Sequence, residues 1–490
     1  MAYYIGIDLG TSSVKLMLVD DEGKIKNTAT REYSVSYPHT GWSEQIADDW
    51  WQAICDAITE LLERFDGQSV KGIGVAGQMH GLVVVDKNDD VIRPVILWND
   101  GRADKQTEYL NEVVGKETLF ECTGNIAFAG FTAPKIMWLR ENEPESFAKI
   151  SKIMLPKDYI NYLLTGIHCT DYSDASGALL LDVKNKCWSS KLLNICGISE
   201  QQLPKLYVSF EVVGTVKAEI ADKFGISKEA VVVAGAGDNA AAAIGTATVG
   251  EGKCNVSLGT SGTIFVSNDC FSGDEKQAIH SFCHADGGYH LMGCILSAAS
   301  CNKWFCEEIL NINDYKAEEQ AVEKLGDNEV FFLPYLMGER SPINDVNASG
   351  TFIGLRPNTS RADMYQAVLE GVSFAIKDNL EIIKSFGIDV KSSCLCGGGA
   401  KSRLWRKILA NVLNIELNIP VIEQGPGYGA TILAMVGAGN GDDVQKVTDK
   451  LFQIKETIIP DKVIAMKYAD KYEKYRKIYP ALKQLYKEIK

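Results

Sequence analysis

A four-residue sequence occurs twice in this 490-residue chain, once in each half. Leu9-Gly10-Thr11-Ser12 is repeated, letter for letter, as Leu258-Gly259-Thr260-Ser261. Each copy lies between two apolar, β-rich runs, which predicts a strand, a tight turn and a second strand. A glycine flanked by small hydroxyl residues exposes backbone N–H groups in such a turn, and this concavity suits a phosphate anion. The repeat therefore predicts two phosphate-binding turns that close on one polyphosphate from both sides.

A second repeat follows the first in each half. Gly235 to Ala240 and Gly425 to Ala430 share the pattern G-x-G-x-x-A, and each leads into a run of small residues. Small side chains at helical spacing allow two helices, or a helix and a ligand, to approach closely. Chance recurrence of common residues is the alternative, but two repeats in the same order favour a duplication. We expect an α/β fold of two duplicated domains, residues 1–246 and 247–490, with a cleft between them and the last helices packing back on the first domain.

Composition narrows the class of partner. The hydrophobic content of 46% and charged content of 23% are those of a globular protein with a full core. A net charge of −14 argues against nucleic acid or an anionic membrane as the main partner, although ATP can still bind where backbone amides and Mg²⁺ neutralise it. Thirteen cysteines without a CxxC pair indicate reduced thiols and a cytoplasmic location. The apolar window 230–249 carries Asp238 and Asn239 at its middle, so we expect no membrane span.

Hydrophobic periodicity predicts the elements around these repeats. In the first half it predicts strands at Tyr3–Asp8, Val14–Asp20, Lys24–Val35, Gly72–Ala76, Leu82–Val85 and Ala230–Val233, and a helix at Ala47–Phe65. In the second half it predicts a second hairpin, a strand at Ser393–Cys396, a tight loop at Gly397-Gly398-Gly399, and helices at Ser402–Val412, Val447–Phe452 extended onward, and Lys467–Ile489.

Two carboxylates stand where phosphoryl transfer would need them. Asp8 ends the first strand, where a carboxylate can hold Mg²⁺, usually through water, beside the phosphates. Its alternative role is to hydrogen-bond the turn backbone. Asp238 precedes a predicted helix, where it could accept the proton of an alcohol that attacks a phosphoryl group. Asp238 could equally be the N-cap of that helix.

Three further sites have both a functional and a structural interpretation. His80 follows Met79 in a glycine-flanked loop and could bond a polyol hydroxyl, although a lone histidine at a turn is more often structural. The run from Gly397 to Ser402 could let a nucleotide lie on bare backbone at a helix start, but it fits neither the P-loop nor the dinucleotide pattern. A possible metal cluster comprises His280, Cys283, His284, Asp286 and His290. A hairpin turn at 286–288 would scatter these side chains on both faces, so we expect no zinc site.

Several longer motifs resemble the FGGY family of carbohydrate kinases, within the actin/hexokinase-like ATPase superfamily, over essentially the whole chain. The two phosphate turns resemble the family's two phosphate loops. Thr132 to Leu139 resembles one family signature, and Gly350 to Leu355, continuing to Glu370, resembles the other. Gly77-Gln78-Met79-His80-Gly81 and Trp98-Asn99-Asp100-Gly101-Arg102 resemble the members that act on ketopentoses, whereas glycerol kinases tend to place an Arg-Glu pair near the Met-His position.

The resemblance implies a fold, a reaction and a set of site residues. The fold is two ribonuclease H-like domains, and the reaction is ATP-dependent phosphorylation of a ketopentose, with D-xylulose the first candidate. It implies ATP and Mg²⁺ as cofactors, a sugar substrate, and a homodimer. The implied roles are a base (Asp238), sugar binding (Met79, His80, Asp238 and Asn239), Mg²⁺-phosphate (Asp8), and nucleotide or phosphate binding (Gly10, Thr11, Ser12, Gly259, Thr260, Gly398, Gly399 and Ser402).

Other readings stay open at this point. Kinases of other pentuloses, polyols or gluconate share most of these motifs. A non-kinase ATP switch of the same fold would need an extra peptide-binding domain or polymerising surfaces. The two predicted domains already account for the length of this sequence, which disfavours that alternative. A sugar sensor without catalysis is disfavoured because Asp8 and Asp238 are both present.

Overall fold

Two mixed seven-stranded sheets, one in each half of the chain, dominate the computed structural model. It describes residues 1–273, 276, 279–422 and 425–489. Each sheet has its own hydrophobic core, so the expectation of an α/β fold with two duplicated domains is confirmed. Within these ranges, no helix is both long enough and apolar enough to span a bilayer.

The first half carries fifteen strands and ten α-helices. The strands are β1 (Tyr3–Leu9), β2 (Ser13–Asp20), β3 (Ile25–Glu32), β4 (Glu44–Gln45), β5 (Val70–Gly77), β6 (Val83–Val85), β7 (Val95–Ile96), β8 (Lys152–Met154), β9 (Cys169–Asp171), β10 (Leu181–Asp182), β11 (Cys187–Trp188), β12 (Lys205–Tyr207), β13 (Val212–Thr215), β14 (Val231–Val233) and β15 (Ala236–Gly237). The helices are α1 (Ala47–Leu62), α2 (Asp104–Glu108), α3 (Lys116–Thr123), α4 (Thr132–Asn142), α5 (Pro144–Ala148), α6 (Pro156–Thr165), α7 (Tyr172–Ser176), α8 (Ser190–Cys196), α9 (Ala218–Phe224) and α10 (Asp238–Gly245).

The described ranges of the second half carry nine strands and eight α-helices. The strands are β16 (Cys254–Leu258), β17 (Gly262–Asn268), β18 (His280–Cys283), β19 (Tyr289–Ile295), β20 (Phe331–Leu333), β21 (Thr351–Ile353), β22 (Ser392–Cys396), β23 (Glu416–Pro420) and β24 (Ile454–Ile458). The helices are α11 (Ala299–Trp304), α12 (Lys316–Ala321), α13 (Arg361–Ser385), α14 (Arg403–Leu413), α15 (Gly425–Gly437), α16 (Val444–Leu451), α17 (Lys462–Tyr475) and α18 (Ile478–Glu488).

The two sheets repeat one arrangement around a central strand. In the first sheet β1 pairs antiparallel with β2 and parallel with β5, so the turn after Leu9 and the loop after Gly77 leave the same edge. In the second sheet β16 pairs antiparallel with β17 and parallel with β22, which places the turn after Leu258 beside the loop after Cys396. The two predicted hairpins are therefore confirmed. Beside the turn of each hairpin lies the loop that follows the neighbouring parallel strand.

The small-residue helices α10 and α15 pack against each other between the two sheets. A Cβ atom placed on Gly429 of α15 would lie 1.8 Å from the carbonyl oxygen of Ala241 in α10. Helix α15 also lies on the first sheet, where Cβ atoms on Gly6 and Gly74 would each lie 2.1 Å from α15 carbonyl oxygens. Such contacts require glycine. The close packing that the second repeat predicts is confirmed, and a helix from the second half covers the sheet of the first.

The C-terminal region differs from the sequence-based expectation in three ways. The helix expected to extend beyond Phe452 ends at Leu451, and strand β24 follows. The single helix expected at 467–489 is divided into α17 and α18. Tyr468, Tyr472 and Tyr475 of α17 and Tyr486 of α18 are buried in the core of the second domain. Of the two closing helices expected from the sequence, it is therefore the first, α16, that packs on the first domain together with α15. The inward-facing tyrosines keep the last helices in the second core.

Candidate active site

A cavity of about 230 Å³ lies between the two domains. Its walls combine residues of the first half with strand and loop residues of the second: Met79, His80, Trp98, Phe128, Gly130, Phe131, Asp238, Asn239, Ser261, Thr263, His280, Met292, Cys294 and Arg340. The cavity is large enough for a small sugar, and its polar groups converge from several loops on an otherwise apolar lining, as in small-molecule sites.

Asp238 enters this cavity from the first residue of α10. Gly237 occupies the N-cap position, and no side chain caps the helix there, so Asp238 is not the N-cap that its sequence position allows. One oxygen, Oδ1, accepts hydrogen bonds from the backbone N and side-chain Nδ2 of Asn239, at 2.7 and 3.0 Å. Burial raises the pKa of the Asp238 carboxyl to about 6, and the Asn239 N–H bond opposes that rise.

Asp8 lies close enough to Asp238 for their charges to interact. Burial and, to a smaller extent, the charge of Asp238 raise the pKa of Asp8 to about 7, although the charge of Lys15 lowers it. Asp8 pairs with Lys15 and Ala76 on the strands at either side, and its Cβ would lie 3.4 Å from a Cβ on Gly427 of α15. Two neighbouring carboxylates with little solvent form a site where a bound cation would relieve the repulsion.

His80 is held in a neutral state with one nitrogen committed to the backbone. Its Nδ1 lies 2.7 Å from the carbonyl oxygen of Gly177, so Nδ1 carries the proton and donates it. Burial lowers the pKa of His80 to about 3. The ring stacks on Phe131 at 4.8 Å between centroids. Nε2 is therefore left as a hydrogen-bond acceptor on a ring that lines the cavity.

Helix α4 fixes the backbone of His80. Lys135 is fully buried, and its Nζ donates to the carbonyl oxygens of His80 at 3.0 Å and Gly130 at 2.8 Å. The Thr132 hydroxyl donates to the same His80 oxygen at 3.1 Å. Burial lowers the pKa of Lys135 to about 7. The segment that resembles a family signature thus clamps two loops of the cavity wall, a role that its sequence alone does not reveal.

The turn Leu9–Ser12 is bonded to the loop 77–81, which carries Met79 and His80. The Thr11 hydroxyl donates to Oε1 of Gln78 at 3.2 Å and accepts from Nε1 of Trp98 at 2.9 Å. Nε2 of Gln45 donates to the Thr11 carbonyl oxygen at 2.6 Å. The carbonyl oxygen of Gly10 accepts from the Tyr33 hydroxyl at 2.6 Å. Thr11 does not itself line the cavity; it borders the cavity through Trp98, which does.

The second phosphate turn lies against the triple-glycine loop. Ser261 of this turn lines the cavity directly, and Gly259 and Thr260 are tied by their carbonyl oxygens to Ala298 and Ala299 of the α11 start. Gly397 has φ +90°, and a Cβ on it would lie 2.7 Å from the Leu258 backbone. A Cβ on Gly398 would meet no described atom within 4 Å, which leaves open backbone beside the turn.

Ser402 has a structural role in addition to its expected one. It is the N-cap of α14, and its hydroxyl accepts from the backbone N of Trp405 at 3.0 Å. Such a bond stabilises a helix start. Gly399 packs on Leu258 and Trp405. Among the expected nucleotide residues, Gly398 therefore has the most open surroundings, while Gly399 and Ser402 also shape the loop.

A buried ion network supports the loop that carries Asp238. Nζ of Lys157 lies 2.6 Å from Asp158, 3.0 Å from Asp171 and 3.9 Å from Asp174, and all four side chains are fully buried. Lys157 Nζ also donates to the Ala234 carbonyl oxygen at 3.3 Å. The Ser173 hydroxyl, which donates to Asp171, accepts from Gly237 N at 3.2 Å. Both sides of the loop before Asp238 are thus anchored. Sequence analysis missed this network because its members form no recognised motif.

Arg340 lines the cavity, and the sequence analysis did not identify it. The loop that carries it is anchored by Glu339, whose Oε1 accepts from the backbone N of Arg340 and of Leu296, each at 2.8 Å. Burial raises the pKa of Glu339 to about 8. The Arg340 guanidinium lies 5.8 Å from the Phe128 ring centroid. An Arg beside a buried Glu in a loop carries no helix or strand signal by which it could be found.

The histidine-cysteine group on the second sheet is buried and takes part in packing. His290 stacks on Phe265 at 4.0 Å, and His284 Nε2 lies 2.8 Å from the Thr248 carbonyl oxygen. His280 differs, because it lines the cavity. Within the described part of the chain, no group of three or more His, Cys, Asp or Glu side chains is arranged to hold a metal ion.

Nearly the whole length of this chain is similar to known carbohydrate kinases. Residues 3–245 match the N-terminal domain, and residues 254–438 the C-terminal domain, of the FGGY family of carbohydrate kinases. The chain is 39% identical to the xylulose kinase of Escherichia coli strain K12, covering 98% of this chain and 99% of the relative. A xyloylose kinase from Brucella ovis superposes with a TM-score of 0.94 at 40% identity, covering 99% of this chain and all of that one. A gluconate kinase from Lactobacillus acidophilus superposes equally well at 27% identity, with full coverage of both chains.

The paired sheets with a cleft between them define a protein of the actin/hexokinase-like ATPase fold. Both family domains are present in order, and relatives well above 30% identity are covered almost completely. The chain belongs to the FGGY family of carbohydrate kinases.

Proposed function

We propose that this protein transfers the γ-phosphoryl group of ATP to a hydroxyl of D-xylulose, giving D-xylulose 5-phosphate. The relatives named xylulose kinase support this substrate. The observation that carries the proposal is the interdomain cavity, in which the expected base Asp238 and the expected sugar residue His80 meet Ser261 of the second phosphate turn.

Asp238 is the proposed base. A carboxyl with a pKa of about 6 is ionised at neutral pH, and it is more basic than an ordinary aspartate. Base strength near the working pH favours proton transfer from the attacking hydroxyl. Oδ1 is occupied by Asn239, which leaves Oδ2 to accept that proton. The neutral His80 ring would accept a hydrogen bond from another sugar hydroxyl through Nε2.

The two turns are proposed to hold the phosphates. Within the described residues, the backbone N–H groups of Thr11, Ser12, Thr260 and Ser261 donate no hydrogen bond to the protein. Free amides in a turn bind anionic oxygens and stabilise the charge that spreads over them during transfer. Open backbone at Gly398 leaves room for the nucleotide, with Gly399 and Ser402 shaping the loop beneath it.

Asp8 fits the Mg²⁺ that a kinase of this family would use. Its carboxylate is a hard oxygen ligand, the kind that Mg²⁺ prefers. Burial and the Asp238 charge raise its pKa to about 7 despite the opposing charge of Lys15, so an added cation would stabilise the ionised carboxylate. Mg²⁺ bound there with ATP would neutralise phosphate charge, and Asp8 would hold it through water.

We also propose a location and an oligomeric state for the protein. In the part of the chain that the structure describes, the thirteen cysteines form no disulfide, and ATP is the proposed phosphoryl donor, so we place the protein in the cytoplasm. The family resemblance also implies a homodimer; sedimentation of the purified protein at several concentrations would test this.

The base assignment is tested by Asp238→Asn, which keeps the shape of the side chain. We expect kcat with D-xylulose to fall by about 10²–10⁴-fold, with ATP binding by calorimetry unchanged. In the parent protein, kcat should decline as the pH falls through about 6, because protonation removes the base. The control is Asp222→Asn, an exposed aspartate paired with Lys228. A kcat near that of the parent would reject Asp238 as the base.

A gluconate kinase is the second candidate, because a protein of that description superposes over the full chain. Turnover with a panel of pentuloses, pentitols and gluconate separates the two: D-xylulose should give the highest kcat/KM. If no sugar on the panel stimulates ADP release, the protein is instead an ATP switch.

A further inference from the structure

We propose that Arg340, together with His280 in the same cavity wall, recognises the carbonyl end of the ketose. Arg340 would then be the residue that selects a keto sugar over the corresponding polyol. This inference rests on the proposed function, because it concerns the same cavity and the same sugar.

A row of aromatic rings leads from the ring of His80 to Arg340. The Phe131 ring stacks on His80 and lies 5.6 Å from the His280 ring. The Phe128 ring lies 5.1 Å from His280 and 5.8 Å from the Arg340 guanidinium. This row forms one wall of the cavity and ends at Arg340. A sugar lying along it would present one end to Arg340.

Asp238 is connected to the His80 end of this row. It is bonded to Asn239, whose Nδ2 lies 4.0 Å from Sδ of Met79, and Met79 precedes His80 in the chain. The charge of Arg340 lowers the pKa of both His80 and His280. A sugar whose terminal hydroxyl meets Asp238 therefore places its carbonyl end towards Arg340.

The Arg340 guanidinium is available to a ligand. Among the residues that the structure describes, no carboxylate forms an ion pair with it, and its side-chain partners are the Cys294 thiol and the Phe128 ring. Guanidinium offers only hydrogen-bond donors. A carbonyl oxygen only accepts hydrogen bonds, so it is satisfied by a guanidinium. A hydroxyl is also a donor and needs an additional acceptor when it is buried.

His280 provides an acceptor for one neighbouring hydroxyl. Burial and the Arg340 charge lower its pKa well below the usual value, so the ring is neutral and has one acceptor nitrogen. Its Nδ1 is buried without a hydrogen-bond partner in the described chain. One carbonyl and one hydroxyl match this pair. A polyol would bring two hydroxyl protons, and burying one of them without an acceptor lowers affinity.

Arg340→Met is the test. We expect KM for D-xylulose to rise by about 10- to 100-fold, the usual effect of losing a hydrogen bond to a charged group, with KM for ATP within about twofold. The inhibition constant of xylitol, which has no carbonyl, should change by less than about threefold. The control is Arg356→Met, which removes an exposed arginine paired with Glu329.

Arg340→Lys keeps the charge without the planar fork and should fall between the parent and the Met variant, which preserves the test if Arg340→Met does not fold. Equal losses for D-xylulose and xylitol would overturn carbonyl recognition. A reduced kcat with unchanged KM would also overturn it, and would assign Arg340 to the transferred phosphoryl group. Absence of xylulose turnover in the parent protein would instead refute the proposed function.

Discussion

At the scale of single residues, His80 combines an unusual backbone with a committed ring. Its φ is +68°, a conformation that L-residues rarely adopt and that costs free energy unless the surroundings fix it. Lys135, Thr132 and the Gly177 carbonyl fix it through three hydrogen bonds. These bonds offset the backbone strain and hold the ring in the cavity wall.

His80→Ala should weaken sugar binding selectively. Loss of one neutral hydrogen bond predicts a rise in KM for D-xylulose of about 3- to 10-fold, with KM for ATP within about twofold, measured by steady-state kinetics. His39→Ala, an exposed histidine that packs on Trp42, serves as the control. If the KM values for sugar and ATP rose together, His80 would have a structural role rather than a sugar-binding one.

At the scale of elements, the packing of α10 on α15 determines how the base is positioned. Gly245 of α10 lies close to Gly425 and Gly429 of α15, and Ala243 on the same helix packs on Phe265 and Met292 of the second sheet. Because Asp238 is the first residue of α10, any displacement of the helix moves the carboxylate. The small residues at this crossing therefore determine the position of Asp238 as well as the packing of the two helices.

Gly429→Val should push the two helices apart. The new Cβ would meet the Ala241 carbonyl oxygen at 1.8 Å, so the free energy of unfolding should fall by more than about 3 kcal/mol, the upper end of ordinary overpacking. Urea unfolding measures it. Gly101→Ala, whose Cβ would make only ordinary contacts at 3.6 and 3.9 Å, is the control. Equal stability of the two variants would contradict the close crossing.

Sequence patterns predicted those elements whose signal is local. The hairpin turns and the small-residue helices each depend on neighbouring residues, so repeats such as Leu9 to Ser12 and Gly425 to Ala430 are sufficient to predict them. Arg340 and the Lys157 network could not be found, because they form no local pattern and reach the site through distant contacts, Arg340 with Phe128 and Lys157 with Ala234. His280 was considered only with its neighbours as a metal group, although strand pairing brings it alone to the cavity wall.

At the scale of the whole molecule, the two halves of the chain share a hydrophobic core. Helix α15 belongs to the second half in sequence, yet Tyr428, Ile432 and Leu433 form a core with Tyr4 and Val19 of the first sheet. The Tyr428 hydroxyl donates to the Gly23 carbonyl oxygen at 2.9 Å. One face of the first sheet is thus covered only when residues 425–437 are present, and the predicted boundary at 246 separates the sheet from its cover.

Residues 1–246 produced alone should therefore fail to form a cooperative domain. Without α15, buried residues such as Val19 and Val233 would face water, and burial of apolar surface is the main source of stability. We expect aggregation, or a thermal transition without cooperativity by calorimetry. Co-production with residues 247–490 should restore a soluble complex with sugar kinase activity, and addition of residues 425–451 on a flexible linker should restore cooperativity to the fragment. If residues 1–246 alone unfolded cooperatively near the transition of the full chain, the first domain would be complete without α15.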